Sequence, residues 1–279
     1  FREGKSGVGH WLSLLCTFYG CLLLSKRLIM KERAAVLNKI ADIIDENAEY
    51  LATIESMDNG KPIRETSVVD VPFSAEHFRY FAGCILAEEG TANFLSGNTV
   101  FGGDALSLVV REPIGVVGQI VPWNFPFLMA AWKLAPVLAP VAALYLAFFR
   151  YTAFRKVLAE LIQDVVPAGV FNVITGSGSK SGQYILDHQG FRKLAFTGST
   201  EIGKNVAKAA ADRLIPSTLE LGGKSANIFF EDCNWEKAMD GLQVGILFNQ
   251  GQVCCAGSRV FVQDTIYDKF VEEAVKRFN

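Results

Sequence analysis

Short apolar runs that alternate with helical segments constrain the fold of this chain more than any other feature. Ile114–Val121 is a nearly continuous apolar run that Pro122 ends. Later runs of the same character are Val170–Thr175, Leu194–Phe196, Ser217–Leu221 and Asn227–Phe230. Helical stretches such as Val157–Val165 and Lys204–Arg213 separate most of them. Apolar strands separated by helices are typical of parallel sheets with both faces covered. The sequence therefore predicts an α/β fold with a doubly wound parallel sheet, in which Ile114–Val121 and Leu194–Phe196 are interior strands.

The composition is that of an ordinary folded protein. The chain has 279 residues, 50% hydrophobic and 20% charged, with 27 basic and 29 acidic side chains and a net charge of −2. These proportions exclude a disordered chain, and the balanced charge argues against nucleic acid as the main partner. The length fits one large domain or two ordinary ones.

Cysteine and histidine usage indicates a reducing compartment. The six cysteines include no C-x-x-C pair and are too sparse for a disulfide scaffold, and the three histidines are scattered. Such a pattern is typical of neither secreted disulfide domains nor metal sites. We therefore expect a cytoplasmic protein without a metal site.

The amino-terminal segment differs from the rest of the chain. Because the first residue is Phe1 rather than methionine, we expect a piece of a longer protein. Trp11–Leu24 is an apolar run that is shorter than the roughly 20 residues needed to span a bilayer. The run is compatible with the hydrophobic region of a signal peptide, although no small-residue cleavage site follows it, and with a buried or non-native segment. We interpret residues 1–29 as aberrant or non-native.

Residues 30–96 have predominantly helical periodicity. Apolar side chains from Val36 to Leu51 recur at helical spacing, which predicts one amphipathic surface helix. Asp58–Pro62 predicts a turn, and His77–Glu88 predicts a further helix. Residues 97–111 mix glycines with short β-like runs, which predicts a hairpin or an arm.

Functional residues are expected just after the strands, because ligands of doubly wound sheets bind beyond the carboxyl ends of the strands. Asn124 follows the first run, inside a turn with a proline at either end. Its amide is suited to stabilising an oxyanion, although a turn asparagine that bonds its own backbone is the simpler interpretation. Gly176–Gly182 matches neither G-x-G-x-x-G nor a P-loop, so it predicts a plain loop.

Three later strand ends carry further candidates. The small residues of Thr197–Gly203 leave backbone N–H groups open to a phosphate, or Ser199 is an ordinary N-cap. Glu220 stands beside flexible glycines as a candidate general base, or as an ion-pair partner. Cys254 and Cys255 lie in a loop of small and polar residues, where a helix start would favour the thiolate and burial would leave the thiol inert.

Taken together and in this order, these segments resemble the aldehyde dehydrogenase superfamily. The matching motifs are PWNFP (122–126), WKLAP (132–136), FTGSTEIG (196–203), LELGGKS (219–225) and FNQGQVCCAGSR (248–259). The resemblance extends from about Met30 to Asn279, with a break at about 140–156. The family oxidises aldehydes to carboxylic acids with NAD or NADP. The resemblance therefore implies an oxidoreductase that acts on a small-molecule aldehyde, with NAD favoured as the cofactor.

The resemblance also implies a role for individual residues. Cys254 would be the nucleophile that forms a thiohemiacetal, and Cys255 would be a neighbour that does not react. Asn124 and the backbone N–H at Cys254 would form the oxyanion hole. Glu220 would activate the water that hydrolyses the thioester. The residues implied for cofactor binding are Trp123, Lys133, Gly198, Ser199 and Gly203.

Two departures from the family pattern bear on activity. At Pro140–Lys156 a hydrophobic run of about the right length replaces a strand that ends in a Lys-Pro-Ser type motif, whose lysine holds the adenosine ribose. We interpret this run as misread coding sequence, as we do residues 1–29. The chain also ends at Asn279, shortly after the implied nucleophile, so we expect the remainder of the catalytic domain to be missing.

The resemblance divides the chain into segments and leaves two hypotheses for its function. The segments are the aberrant residues 1–29, a helical part of the coenzyme domain at 30–96, a candidate oligomerisation arm at 97–111, a dinucleotide-binding domain at 112–222 and a truncated start of the catalytic domain at 223–279. An intact protein would be a homo-oligomer that binds neither nucleic acid nor membrane. One hypothesis is an active dehydrogenase, and the other is an inactive remnant that at most associates with intact subunits.

Overall fold

The computed structural model describes residues 28–97, 102–140, 143–149 and 153–279. The strands in these ranges are β1 (Thr91–Leu95), β2 (Ala105–Val109), β3 (Val116–Val121), β4 (Ala143–Phe149), β5 (Phe171–Gly176), β6 (Lys193–Gly198), β7 (Ser217–Leu221), β8 (Ala226–Phe229) and β9 (Arg259–Val262). The α-helices there are α1 (Met30–Glu46), α2 (Ala48–Asn59), α3 (Ile63–Glu65), α4 (Val71–Leu86), α5 (Pro126–Leu138), α6 (Ala153–Ile162), α7 (Gln183–Asp187), α8 (Thr200–Ala211), α9 (Trp235–Leu247) and α10 (Tyr267–Phe278). None of the described helices is both long and apolar enough to cross a membrane.

Five parallel strands form the central sheet of the described chain, in the order β5-β4-β3-β6-β7. All six residues of β3 are buried, and Val117 lies opposite Leu144 on one side and Lys193 on the other. After β5 the chain returns to the far side of β3 to form β6 and β7. Because parallel crossovers are right-handed, this reversal puts helices on both faces of the sheet. The predicted doubly wound sheet, with β3 and β6 as interior strands, is confirmed.

β4 is a central strand that the pattern of apolar runs does not predict. It pairs with β3 and β5, and Ala143–Phe149 falls within the hydrophobic run that departs from the family pattern. An apolar segment of the right length is suited to a strand that is covered on both faces. Residues 141, 142 and 150–152, like residues 1–27, lie outside the described part of the chain. The interpretation of residues 1–29 and 140–156 as aberrant stays a prediction.

The amino-terminal helices share the hydrophobic core of the sheet. Leu37 and Ile44 of α1 and Phe78 of α4 are fully buried, and they belong to one cluster with Val117 of β3 and Phe127 of α5. These helices therefore pack into the same core as the central sheet, on the side that carries α5.

The single helix predicted from Val36 to Leu51 is wrong, because α1 and α2 are separate helices. Asn47 lies between them, and its Nδ2 donates a hydrogen bond to the carbonyl oxygen of Ile43 at 2.8 Å. An asparagine side chain competes with the helical backbone for hydrogen bonds and so favours a helix end.

Two other predicted segments differ in detail. β1 and β2 form an antiparallel hairpin that begins at Thr91, earlier than the predicted arm at residues 97–111. Gly178–Gly182 is not a plain loop but a π-helical turn that continues into α7. Its backbone bonds begin at Ser177, whose carbonyl accepts from Ser181 N at 2.8 Å.

The carboxyl-terminal residues contain a second, small core. β8 and β9 pair in parallel, and Phe229, Met239, Leu242 and Phe270 form a buried cluster separate from the main one. This cluster joins β8 with α9 and α10, and it lies beyond the central sheet in the sequence.

A buried group of charged residues supports the turn that follows β3. Lys61 is 2% exposed and Glu55 and Asp70 are 0% exposed. Lys61 Nζ lies 2.5 Å from Asp70 Oδ2, 3.8 Å from Glu55 Oε1 and 3.9 Å from the centre of the Phe125 ring. Burial raises the pKa of Glu55 from its usual 4.5 to about 8, although Lys61 and a hydrogen bond from the Phe127 backbone oppose the rise. The single positive charge of Lys61 compensates the negative charge of only one of the two carboxylates. Glu55 is therefore protonated and neutral in the folded protein.

We predict that Glu55 makes the protein less stable as the pH rises. Its folded pKa is raised, so its contribution is complete below pH 4.5 and is lost as the pH rises through about 8. Glu55→Gln keeps a neutral side chain and should flatten the fall in unfolding free energy over this window, by up to about 1.4 kcal/mol per pH unit. Urea titrations at pH 5, 7 and 8.5 measure this difference. Equal pH slopes for the two proteins would show that Glu55 is ionised in the fold.

Candidate functional site

The candidate site lies where the strand order reverses, between β3 and β6. Trp123 and Asn124 follow β3, Gly198 and Ser199 follow or end β6, and Glu220 lies near the end of β7. Parallel strands all end at the same edge, so the five residues share one edge of the sheet. The crevice at such a reversal is where doubly wound sheets bind their ligands.

The connection from β6 to α8 is built from small residues for steric reasons. A Cβ atom at Gly203 would lie 2.5 Å from Leu221 Cδ2, and one at Gly198 would lie 2.5 Å from the Phe196 ring. Gly203 therefore lets α8 pack closely on β7. Ser199 is the N-cap of α8 and its Oγ accepts a hydrogen bond from Ile202 N at 3.4 Å. The N-cap interpretation of Ser199 holds in this structure, and the other N–H groups of the first turn remain suited to a phosphate.

The groups that line the sheet edge are partly buried and charged. Lys133 is 7% exposed, and burial lowers the pKa of its ammonium while the carboxylate of Glu220 opposes the fall. Glu220 is exposed and lies opposite Thr197 in the register of β6 and β7. The hydroxyl of Thr197 is buried and has no hydrogen-bond partner among the residues that the structure describes. Trp123 is 49% exposed. Glu220 therefore interacts electrostatically with Lys133 and is paired across the strands with Thr197.

Asn124 is brought against the loop that carries the cysteines. Its Nδ2 donates to the carbonyl oxygen of Gln252 at 2.8 Å, across 128 residues of sequence. Its Oδ1 is buried and accepts no hydrogen bond from the described part of the chain. A primary amide has two N–H donors, so one remains for another acceptor. The alternative of a turn asparagine bonded to its own backbone does not describe this side chain.

The two cysteines lie on a turn rather than at a helix start. Ala256 N donates to the carbonyl oxygen of Val253 at 3.1 Å, and the chain then runs directly into β9. No helix dipole therefore acts on the thiols, which corrects one of the two interpretations of this loop. Partial desolvation, followed by the neighbouring Cys255 thiol, raises the pKa of the Cys254 thiol. Both side chains are exposed, so the buried, inert alternative is also wrong.

The structure brings some of the predicted residues together through their backbone. Gly223 follows Glu220 by three residues, and a Cβ atom there would lie 3.6 Å from the carbonyl oxygen of Cys254. The segment after β7 therefore touches the cysteine turn, and the bond between Asn124 and Gln252 reaches the same turn from the other side. No group of three or more His, Cys, Asp or Glu residues within the described ranges is placed to hold a metal ion.

Several contacts around the site have no signal in the sequence analysis, although Asn249 lies within the motif at 248–259 and Asn59 within the turn predicted at Asp58–Pro62. Asn249 is fully buried, and its Nδ2 donates to the carbonyl oxygen of Asn124 at 2.7 Å. Asn59 Nδ2 donates to the same oxygen at 3.1 Å, and Glu65 Oε2 accepts from Asn249 N at 2.8 Å. Asn249 stands before Gln250 and Gly251, a composition typical of turns, but no sequence pattern joins it to residue 124.

Comparison with known proteins identifies the family. The model of the aldehyde dehydrogenase family matches residues 25–279. An aldehyde dehydrogenase of Vibrio cholerae serotype O1 is 50% identical over 253 residues, which are 88% of this chain and 49% of that protein. The chain spans about half the length of this curated relative.

Solved structures agree with the sequence match. PnpE from Pseudomonas sp. WBC-3 has a TM-score of 0.88 and 39% identity, covering 95% of this chain and 53% of its own, and PnpE is also known in complex with nicotinamide adenine dinucleotide. The NAD⁺ complex of an aldehyde dehydrogenase from Bacillus cereus has a TM-score of 0.86 and 38% identity, covering 91% of this chain and 51% of its own. Since the family model matches most of the sequence and the fold agrees, the chain belongs to the aldehyde dehydrogenase family.

Proposed function

We propose that the chain supplies the dinucleotide-binding domain (residues 112–222) and the first part of the catalytic domain (residues 223–279) of an enzyme that oxidises an aldehyde to a carboxylic acid. The observation that carries the proposal is the hydrogen bond from Asn124 Nδ2 to the Gln252 carbonyl, two residues before Cys254. This bond supports the proposal because it holds the Asn124 amide against the segment that carries Cys254, at the strand edge where ligands of this fold bind.

Cys254 is the proposed nucleophile. Its Sγ attacks the carbonyl carbon of the aldehyde, and the carbonyl oxygen becomes the oxyanion of a thiohemiacetal. The second N–H of Asn124 and the backbone N–H at Cys254 donate to this oxygen, which is where charge develops. Because the pKa of the thiol is raised, its proton has to pass to an acceptor before attack, and solvent water reaches the exposed side chain to take it. Cys255 is the adjacent thiol and takes no part in bond formation.

The residues at the β6–α8 connection fit a dinucleotide. Small residues at Gly198 and Gly203 keep α8 close to the sheet, and the first-turn N–H groups, next to Ser199, face the edge where a pyrophosphate would lie. Trp123 and Lys133 line the same edge. When bound, the nicotinamide accepts the hydride that leaves the substrate carbon. NAD is favoured over NADP, because the similar structures named above are NAD complexes.

Glu220 is the proposed general base for the second half-reaction. Loss of hydride leaves a thioester at Cys254, and water has to attack its carbonyl carbon. The carboxylate of Glu220 takes a proton from that water, and the Cys254 thiolate leaves as the acid forms. Glu220 is exposed at the strand edge, so water reaches it.

We also propose a homo-oligomeric, cytoplasmic enzyme. The β1–β2 hairpin carries exposed apolar side chains, with Phe94 69% exposed and Leu106 and Leu108 each 61% exposed. Apolar surface of this kind marks interaction sites. A reactive Cys254 thiol also requires a compartment that keeps cysteines reduced.

The alternative function is an inactive remnant, in which the 279-residue polypeptide has the chemical groups without the geometry. Cys254 and Glu220 are both exposed, and the Lys-Pro-Ser type motif that would hold the adenosine ribose is replaced by a hydrophobic run. Correct positioning of reactants supplies about 7–11 kcal/mol of a barrier. Exposed catalytic groups in a site that binds its cofactor weakly are poorly positioned, so much of this lowering of the barrier would be lost.

We predict that Cys254 and Cys255 differ in function. In an intact enzyme that contains this sequence, Cys254→Ala should abolish aldehyde oxidation because it removes the nucleophile. Cys255→Ala should leave much of the activity, and it serves as the matched control. Steady-state NADH production with an aliphatic aldehyde measures both. Equal losses would mean that the assignment of the nucleophile is wrong.

We predict that Glu220 acts after hydride transfer. In the same intact enzyme, Glu220→Gln removes the proton acceptor and should slow thioester hydrolysis more than NADH formation. A stopped-flow trace should therefore keep its initial burst of NADH while steady turnover falls about 10²-fold or more. Loss of the burst together with turnover would place Glu220 in the first half-reaction.

We predict that the 279-residue polypeptide alone does not oxidise aldehydes. Purified protein with acetaldehyde and either NAD or NADP should give no NADH or NADPH above a Cys254→Ala control. Turnover that depends on Cys254 would instead favour the active hypothesis for this polypeptide.

A further inference from the structure

We infer that Asn249 is a positioning residue that holds the Asn124 amide against the turn that carries Cys254 (residues 252–256, called the nucleophile turn below). The inference rests on the proposed aldehyde chemistry and adds a residue to it. Asn249 lies 125 residues from Asn124 in the sequence, and its side chain is fully buried between the two segments.

The amide of Asn249 bridges two backbone carbonyls. Its Nδ2 donates to the carbonyl oxygen of Asn124 at 2.7 Å and to that of Gln252 at 3.3 Å. The Gln252 oxygen is also the acceptor for Asn124 Nδ2, at 2.8 Å. The backbone and the side chain of Asn124 are therefore both connected to the nucleophile turn. Asn249 bonds to the backbone oxygen of Asn124, and it shares the Gln252 oxygen with the Asn124 side chain. A shift of Asn249 would therefore move the Asn124 N–H group that, in our proposal, donates to the oxygen of the aldehyde.

The backbone at Asn249 is held in a conformation that L-residues seldom adopt. Asn249 has φ 50° and the following Gln250 has φ 54°, both in the left-handed region. Such a conformation is unfavourable and persists only where neighbours hold it. Glu65 Oε2 accepts from Asn249 N at 2.8 Å, and Gln250 Nε2 donates to the carbonyl oxygen of Gly60 at 2.5 Å. Residues from the amino-terminal helices thus fix the loop before Cys254.

Stability alone does not account for an asparagine at this position. Asn249 Oδ1 is buried and has no hydrogen-bond partner within the described ranges, and an unsatisfied buried acceptor is unfavourable for folding. The residue is suited to its place by its two N–H donors and by the tolerance of asparagine for positive φ. Both properties serve the alignment of Asn124 with the nucleophile turn.

The test measures thiohemiacetal formation without cofactor or turnover. In the 279-residue chain carrying Cys255→Ala, iodoacetamide alkylation of Cys254 is followed by mass spectrometry, with and without propanal. The aldehyde occupies the thiol as a thiohemiacetal and slows alkylation, and the protection ratio reports how well the oxyanion is held. The exposed Cys84 thiol serves as the reference for reagent concentration.

Asn249→Asp replaces the bridging donor with a carboxylate oxygen that repels both carbonyls. Protection by propanal should fall about tenfold, as expected for a donor that is displaced rather than removed. Asn249→Gly accepts the positive φ without strain and lacks the amide, so it should lose protection while staying folded.

Asn47→Asp is the matched control. It makes the same chemical change between α1 and α2 and should retain the protection of the parent chain. Greater access to the thiol raises alkylation with and without propanal alike, so a purely structural loosening leaves the ratio unchanged.

The outcomes separate this inference from the proposed function. Equal protection in the parent chain and in folded Asn249→Asp and Asn249→Gly overturns the positioning role and leaves the proposed function intact. Absence of protection in the parent chain overturns the positioning role and shows that this 279-residue chain forms no thiohemiacetal, whereas the proposed function is tested separately by the Cys254→Ala change in the intact enzyme. Loss of protection in both Asn249 variants, with Asn47→Asp unaffected, supports the inference.

Discussion

The reversal of strand order between β3 and β6 is the constraint on which the site depends. Parallel strands need crossover helices, and those helices cover both faces of the sheet, so the open edges at the strand ends are where polar groups collect. Trp123, Asn124, Gly198 and Glu220 share the edge formed by the carboxyl ends of β3, β6 and β7.

Buried polar groups connect the amino-terminal helices to this edge of the sheet. Lys61, with Asp70 and Glu55, supports the Phe125 ring, while Asn59 and Glu65 bond to Asn124 and Asn249. Buried charges of this kind are costly unless they are paired, and they contribute specificity of position more readily than stability. In this protein they lie under the Phe125 ring, next to Asn124. The amino-terminal helices therefore contact both segments of the proposed oxyanion hole.

The cysteine turn raises the pKa of its thiol, whereas the amino-terminal end of a helix lowers the pKa of a cysteine placed there. Desolvation and the Cys255 thiol both act against ionisation of Cys254, and no helix begins there to oppose them. In our proposal the Asn124 amide favours the reaction at the next step, because it donates to the oxyanion that forms when the thiol attacks the aldehyde. Cys254 and Glu220 are both exposed to solvent in this arrangement.

The sequence by itself determined the fold class, the interior strands β3 and β6, and the family, because hydrophobic periodicity and short motifs are local properties that folding preserves. It also placed Asn124, Glu220 and Cys254 at strand ends or in loops. Only the tertiary structure decided that Asn47 divides the first helix, that the cysteines lie on a turn, and that Asn249 bridges residues 124 and 252. The buried group of Lys61, Glu55 and Asp70 was equally invisible, since each residue alone is an ordinary surface type. Contacts between residues a hundred or more positions apart depend on how helices pack against the sheet, and no local pattern records that packing.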